Sequence, residues 1–247
     1  NEPKDTVFAN VDYSKLTAAV NNAFDSKGQK KKRSRAVLVI YKDHIIAEKY
    51  DTGFTKNSKI LGWSMTKSIT ATLFGILQKQ GKYDINKPAP IPEWQKDERK
   101  KITTNDLLHM NSGLEWEEAY DKICDATKML FIAEDMGRVQ LEKPAAFAPN
   151  THWNYSSGTS NLLSYILRKQ FKTHQEYLDF WYAQLIDRIG MHSMLIETDM
   201  VGNYVGSSYG WATARDWAKF GLLYLHKGNW NGDQVFGPSW ENYVSTP

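Results

Sequence analysis

The chain has 247 residues, a net charge of +3, and 41% hydrophobic and 24% charged residues. This balance belongs to a folded globular protein long enough to bury a core; it excludes a disordered chain and recognition of nucleic acid through net charge alone. A single cysteine, Cys124, excludes an intrachain disulfide, and no apolar run approaches the ~20 residues of a membrane span.

The sequence begins at Asn1 rather than Met. We expect a processed, exported protein, periplasmic or secreted. Residues Tyr13 to Lys27 carry Leu16, Val20, Ala23 and Phe24 at helical spacing. The basic run Lys30, Lys31, Lys32, Arg33, Arg35 has no interleaved aromatic residue and reads as a solvated loop. Val37 to Tyr41 and Ile45 to Tyr50 are β-branched and apolar, and read as two strands joined by a turn at Lys42-Asp43-His44.

From Met65 onward the period becomes helical. Met65, Ile69, Leu73, Ile76 and Leu77 form one stripe, and Gly81 supplies the stop. A Pro-rich segment, DINKPAPIPEW, follows. A short helix comes next, capped by Thr103 or Thr104 and ended near Gly113. Residues 119–136, 161–169 and 174–189 read as further helices. Thr213 caps another that stops at Gly228, and Asn231-Gly232 marks a hairpin turn. The expected organisation is an α/β (α+β) fold. Residues 1–60 and 200–247 form parts of an antiparallel sheet region, and a mainly helical region, 61–199, is inserted between them.

The chemistry lies at GWSMTKSIT, residues 62–70. Ser64 and Lys67 are three apart at a helix start and so share a face, with the small residues Ala71 and Gly75 continuing it. The free N–H groups and positive dipole end of a helix start favour an attacking oxyanion. Serine needs a base, and a lysine serves once burial lowers its pKa. A second segment, HWNYSSGTSN, places Tyr155 where a tyrosine hydroxyl can relay a proton. The plainer readings are an N-cap serine, a surface lysine and a loop tyrosine on the core.

The stretches SMTK, ITTNDLLHMNSGL and NYSSG, in this order and spacing, resemble the serine β-lactamase-like hydrolases. That superfamily includes class C β-lactamases, D-alanyl-D-alanine carboxypeptidases and family VIII carboxylesterases. ATARDWAKFGLLYLHKGNWNG is most similar to the 6-aminohexanoate-dimer hydrolase branch. The resemblance runs from about Arg35 to the end. It implies a penicillin-binding transpeptidase-like fold, with Ser64 the acylated nucleophile, Lys67 its base and Tyr155 the proton relay. Many relatives have Asn where Ser157 stands. The family's third motif, K-T-G or H-x-G on a strand, is not found. His226-Lys227-Gly228 has the letters but lies at a helix end.

Other signals are weaker. Gly62-x-Ser64 lacks the second glycine of a nucleophile elbow. No histidine or cysteine cluster suggests zinc, and no cofactor is expected. Glu115, Glu117 and Glu118 read as a solvated rim; Asp121 and Asp125 read as a solvated face, ahead of the alternative that they face a substrate amine. Trp63, Trp116, Trp153, Tyr204 and Tyr209 are candidate groove walls. The expected function is hydrolysis of a small ester or amide through an acyl-enzyme. The alternatives are β-lactamase or D-alanyl-D-alanine carboxypeptidase activity, or a non-catalytic binding or sensor domain. With two clear strands before the end, the sheet is expected to be incomplete, with its remaining strands on a missing C-terminal segment or a second chain.

Overall fold

A computed structural model describes residues 6–25 and 31–246. Lys30 and the end of the first expected helix, at Lys27, lie outside the described residues. Helix α1 spans Tyr13–Asn22, with the Asp12 side chain accepting from the Lys15 N–H. Strands β1 (Ala36–Tyr41) and β2 (His44–Tyr50) form an antiparallel hairpin. The turn is tighter than expected: only Lys42 and Asp43 turn, at φ 47° and 65°, and His44 already pairs with Tyr41. Both positive φ values suit the right-handed twist of a two-residue hairpin.

Strand β3 (Ile60–Leu61) leads into a 3-10 turn, Trp63–Met65, and helix α2 (Thr66–Lys79). Ile69, Leu73, Phe74 and Ile76 on α2 are fully buried, which makes it the centre of the main core. Met65 does not belong to that stripe; it sits in the 3-10 turn, out of helical register, and is 49% exposed. Gly81 ends the helix as expected, at φ 66°, with the Lys82 N–H reaching back to the Leu77 carbonyl.

Helix α3 (Thr104–Leu108) has the capping box: Thr103 accepts from the Asp106 N–H while the Asp106 carboxylate accepts from the Thr103 N–H. The single helix expected over 119–136 is instead a loop to Cys124, then α4 (Asp125–Phe131) and α5 (Met136–Leu141). Helix α6 (Ser157–Arg168) starts earlier than the expected Asn161, because Ser156 caps it by accepting from the Thr159 N–H. Its first turns are buried but polar, so no apolar period announces them. Helix α7 (His174–Trp181) passes into a π-helical turn, Tyr182–Ile186, which packs with α2.

Strands β4 (Leu195–Ile196) and β5 (Gly210–Ala212) join β3 in the order β3-β5-β4, all antiparallel. Helix α8 (Ala214–Leu225), capped by Thr213, packs on β1. A bidentate pair from Arg215 to Glu48 on β2, at 2.8 and 2.6 Å, ties that helix to the hairpin. Strands β6 (Asn229–Trp230) and β7 (Asp233–Gln234) form a hairpin around Asn231-Gly232, and α9 (Pro238–Ser245) closes the described chain. Among the described residues no sheet exceeds three strands, so the sheet layer is incomplete. Strand β3 is an edge strand that ends just before Ser64. No helix among the described residues is long and apolar enough to cross a membrane.

Gly75 on α2 has a packing reason. A Cβ on Gly75 would meet the Trp240 indole of α9 at 2.5 Å. Gly221 on α8 faces open space. Gly221→Ala is therefore expected to stabilise the protein by about 0.5–1 kcal/mol, from helix propensity and unfolded-state entropy. Gly75→Ala gains the same term but overpacks the core at a cost of about 1–3 kcal/mol, for a net loss. Urea unfolding of the two variants checks the opposite signs.

Candidate active site

The path to Ser64 is set by a close contact and a strained residue. Gly62 has no room for a side chain, since a Cβ there would meet the Trp217 ring at 2.2 Å. Trp63 then adopts φ 45°, a left-handed conformation that costs a bulky residue energy. The turn presents Ser64 to solvent immediately before α2.

Lys67, in the first turn of α2, meets three groups from three parts of the chain. Its Nζ is 3.1 Å from Ser64 Oγ, 3.0 Å from Ser157 Oγ at the start of α6, and 2.9 Å from the Ser207 carbonyl oxygen. The Tyr155 ring stands beside it, with its centroid 5.1 Å from Nζ. The Tyr155 hydroxyl makes no hydrogen bond to Ser64 or Lys67 in this arrangement. Burial draws the Lys67 pKa down to about 8, against a smaller upward pull from Glu118. The downward shift enlarges the neutral fraction of the amine, the form in which a lysine acts as a base.

Glu118 is not part of a solvated rim. Glu115 and Glu117 are exposed, but Glu118 turns inward. Its carboxylate accepts from Ser157 N (2.6 Å), Ser157 Oγ (2.7 Å), Trp116 Nε1 (2.8 Å) and the Tyr120 hydroxyl (2.7 Å). Burial pushes its pKa up, but these donors outweigh burial and hold it below the ordinary value. The sequence offered no sign of this, because three glutamates in four residues look alike until the loop is folded. The Ser207 carbonyl was equally illegible. Asp125 is not simply a solvated side chain: it pairs with Lys143 at 2.7 Å and accepts from the Glu117 N–H, which pins the loop.

The aromatic candidates divide. Trp63 (50% exposed) and Trp153 (65%) stand at the surface near Ser64 and Tyr155 in sequence; Trp63 packs edge-to-face on Tyr209, and Trp153 against Tyr155. Tyr209 is half-buried, its hydroxyl donating to the Leu130 carbonyl. Trp116 and Tyr204, by contrast, are buried. Trp116 is buried in the small core beneath the 114–124 loop, and Tyr204 is buried among Tyr177, Trp181 and Tyr182. A cleft between the β1–β2 hairpin and α8, lined by Leu38, Ile40, Ile45, Arg215 and Leu222, does not include Ser64. Among the described residues no cluster of His, Cys, Asp and Glu could hold a metal ion.

The family model for Beta-lactamase matches residues 20–242. The fold is similar to that of a protein from Bacillus anthracis assigned as a 6-aminohexanoate-dimer hydrolase, with TM-score 0.76 and 21% identity over 92% of this chain and 61% of that one. It is also similar to a protein from Bacteroides dorei assigned as a beta-lactamase, with TM-score 0.73 and 18% identity over 94% of this chain and 68% of that one. D-amino acid amidase from Ochrobactrum anthropi gives TM-score 0.62 and 16% identity over 83% and 68%. The chain thus spans about three fifths of the length of the first of these structures. No curated protein matches it.

The Lys67 amine is expected to titrate with a midpoint near 8. Nitrogen-15 NMR of lysine Nζ across pH, with Lys67→Met to assign the signal, measures it; a midpoint in the ordinary range above 10 contradicts the assigned burial effect.

Proposed function

The chain belongs to the beta-lactamase family, and from that premise we propose that it is a serine hydrolase that cleaves small esters or amides through an acyl-enzyme on Ser64. One observation carries the reading: an exposed serine hydroxyl lies 3.1 Å from a buried amine whose pKa is drawn down to about 8.

Neutral Lys67 takes the Ser64 proton as Oγ bonds to the acyl carbon. The carbonyl π electrons move onto oxygen, beside the N–H groups at the start of α2. Collapse of that intermediate expels the alcohol or amine, which needs a proton. Lys67 returns it, with the Tyr155 hydroxyl as relay once substrate draws that ring inward. Water, deprotonated by the same pair, attacks the acyl-enzyme and releases the acid. Trp63, Trp153 and Tyr209 offer apolar surface to the acyl or leaving group.

The names of two similar structures, a 6-aminohexanoate-dimer hydrolase and a D-amino acid amidase, fit this substrate class. The name of a third, a beta-lactamase, supports β-lactam turnover as the second reading. Ser157 favours the first. It replaces the Asn that many relatives present to a substrate amide, it is fully buried, and its hydroxyl is taken up by Glu118.

Mass spectrometry after exposure to a fluorophosphonate, a p-nitrophenyl ester and a penicillin tests both readings. Label is expected on Ser64 from the first two reagents, and Ser64→Ala is expected to take none while keeping its fold. Labelling elsewhere, or full ester turnover by Ser64→Ala, overturns the assignment. Tyr155→Phe is expected to lose about 10²-fold or more in turnover, the share of a positioned proton-transfer group. For the wild type, kcat/KM is expected to rise as pH passes about 8, since the active form of Lys67 is the one that has lost its proton.

A further inference from the structure

The base in this site has a problem of direction. A neutral amine has two hydrogens and one lone pair, and Lys67 Nζ has three neighbours: Ser64 Oγ, Ser157 Oγ and the Ser207 carbonyl. Catalysis requires the lone pair to face Ser64. A carbonyl only accepts, so Ser207 takes one N–H. The outcome rests on Ser157, whose hydroxyl is able either to accept the second N–H or to donate its own proton to the lone pair. In the second case Ser64 faces an N–H and is not deprotonated.

We propose that Glu118 is a positioning residue that settles this choice, by taking the Ser157 proton and so leaving the Lys67 lone pair to Ser64. The proposal rests on the reading of Lys67 as base. An ionised carboxylate only accepts, and Ser157 Oγ lies 2.7 Å from Oε1. The other oxygen, Oε2, receives the Ser157 N–H and the Trp116 indole N–H, neither of which can reverse. Tyr120 donates the fourth bond; burial, then Glu118 itself, pushes its pKa up to about 12, so it stays a donor. With its proton committed to Glu118, Ser157 Oγ offers Lys67 only lone pairs. Both N–H bonds of the neutral amine are then occupied, and the remaining O–H is that of Ser64.

The same wiring states what Glu118→Gln does. The amide oxygen must sit where Oε2 sits, opposite two fixed N–H donors. The amide NH2 therefore takes the Oε1 position and faces two hydroxyls that can rotate to accept it. The displaced Ser157 proton turns to Lys67 and occupies the lone pair. The variant keeps size and shape but reverses the network. Removing the Ser157 hydroxyl in that background removes the misdirected proton.

The rate of Ser64 labelling by a fluorophosphonate reads this out in the wild type and three variants of the full chain. Glu118→Gln is expected to label roughly 10- to 100-fold more slowly, the equivalent of one hydrogen bond to a charged group. The double variant Glu118→Gln/Ser157→Ala is expected to label faster than Glu118→Gln alone. A role of Glu118 in merely supporting the loop predicts the double variant equal to or slower than the single one, and that result overturns the proposal. So does a wild-type rate in Glu118→Gln. Lys67→Met separates the two claims: no labelling there with a wild-type rate in Glu118→Gln rejects Glu118 and keeps Lys67, whereas wild-type labelling in Lys67→Met rejects both. The Lys67 Nζ midpoint gives a readout independent of activity. The titratable groups around it are Glu118 and Tyr155, with Tyr120 behind Glu118. Its midpoint is expected to fall in Glu118→Gln, where a negative charge is lost and the lone pair is bonded, and to recover in part in the double variant. An unchanged midpoint in both Glu118→Gln variants rejects the wiring.

Discussion

A buried amine has to be answered on every side, and the answers to Lys67 organise this protein. Its three partners come from the turn before α2, from the first residue of α6 and from the segment between Tyr204 and Gly210. Those parts are held in register by polar bonds rather than by apolar fit. Thr70 Oγ1 donates to the Gly206 carbonyl, the Gly210 N–H donates to Thr66 Oγ1, the Ser207 N–H donates to Asn161 Oδ1, and Ser164 Oγ donates to the Tyr204 carbonyl. Each bond satisfies a buried group that would otherwise be left unpaired at a cost of about 1–3 kcal/mol. The two glycines let the segment approach: a Cβ on Gly206 or Gly210 would meet Thr70 or Thr66 oxygen at 2.4 and 2.8 Å. A slip of the segment by one residue would break every one of these bonds together.

The apolar core supplies what this polar seam lacks, a reason for the elements to come together at all. Ile69, Leu73 and Ile76 of α2, Leu162 and Leu167 of α6, and Trp181 of α7 are fully buried in one cluster. Each such aliphatic side chain contributes about 1.5–3 kcal/mol by leaving water. That stability permits features that cost energy locally: a left-handed Trp63 beside Ser64, a π-helical turn against α2, and a lysine held away from bulk solvent. A second, smaller cluster of Trp116, Cys124, Met129, Leu130, Met136 and Val205 lies beneath the loop that brings in Glu118. The loop is therefore seated on its own apolar floor and clamped by Asp125 and Lys143.

The incomplete sheet has a physical consequence for the site. Strand β3 is paired on one side only and runs directly into the Ser64 turn. The Lys67 amine has its three hydrogen-bond partners, Ser64, Ser157 and Ser207, within this chain.

The sequence by itself determined whatever depends on short range. Helix starts at Thr103 and Thr213 follow from side-chain oxygens near free N–H groups, the Gly81 and Asn231-Gly232 turns from positive φ, and the β1–β2 hairpin from β-branched runs. The Ser64–Lys67 pair was legible because i and i+3 spacing fixes their relation on any helix start. Ordered motifs shared with a known family pointed to Tyr155, although its hydroxyl stands apart from Ser64 and Lys67 here. The tertiary structure alone decided the rest. Residues 119–136 read as one helix, but the fold breaks them into a loop and two short helices, α4 and α5, whose Met129, Leu130 and Met136 fill one small cluster. Trp116 and Tyr204 went to the core and Trp63 and Trp153 to the surface, a choice made by neighbours distant in sequence. Glu118 meets Ser157, and Lys67 meets Ser207, across long stretches of chain. Charge and composition do not encode which of three adjacent glutamates turns inward; that is fixed only when a loop, a helix start and a buried amine are packed into one place.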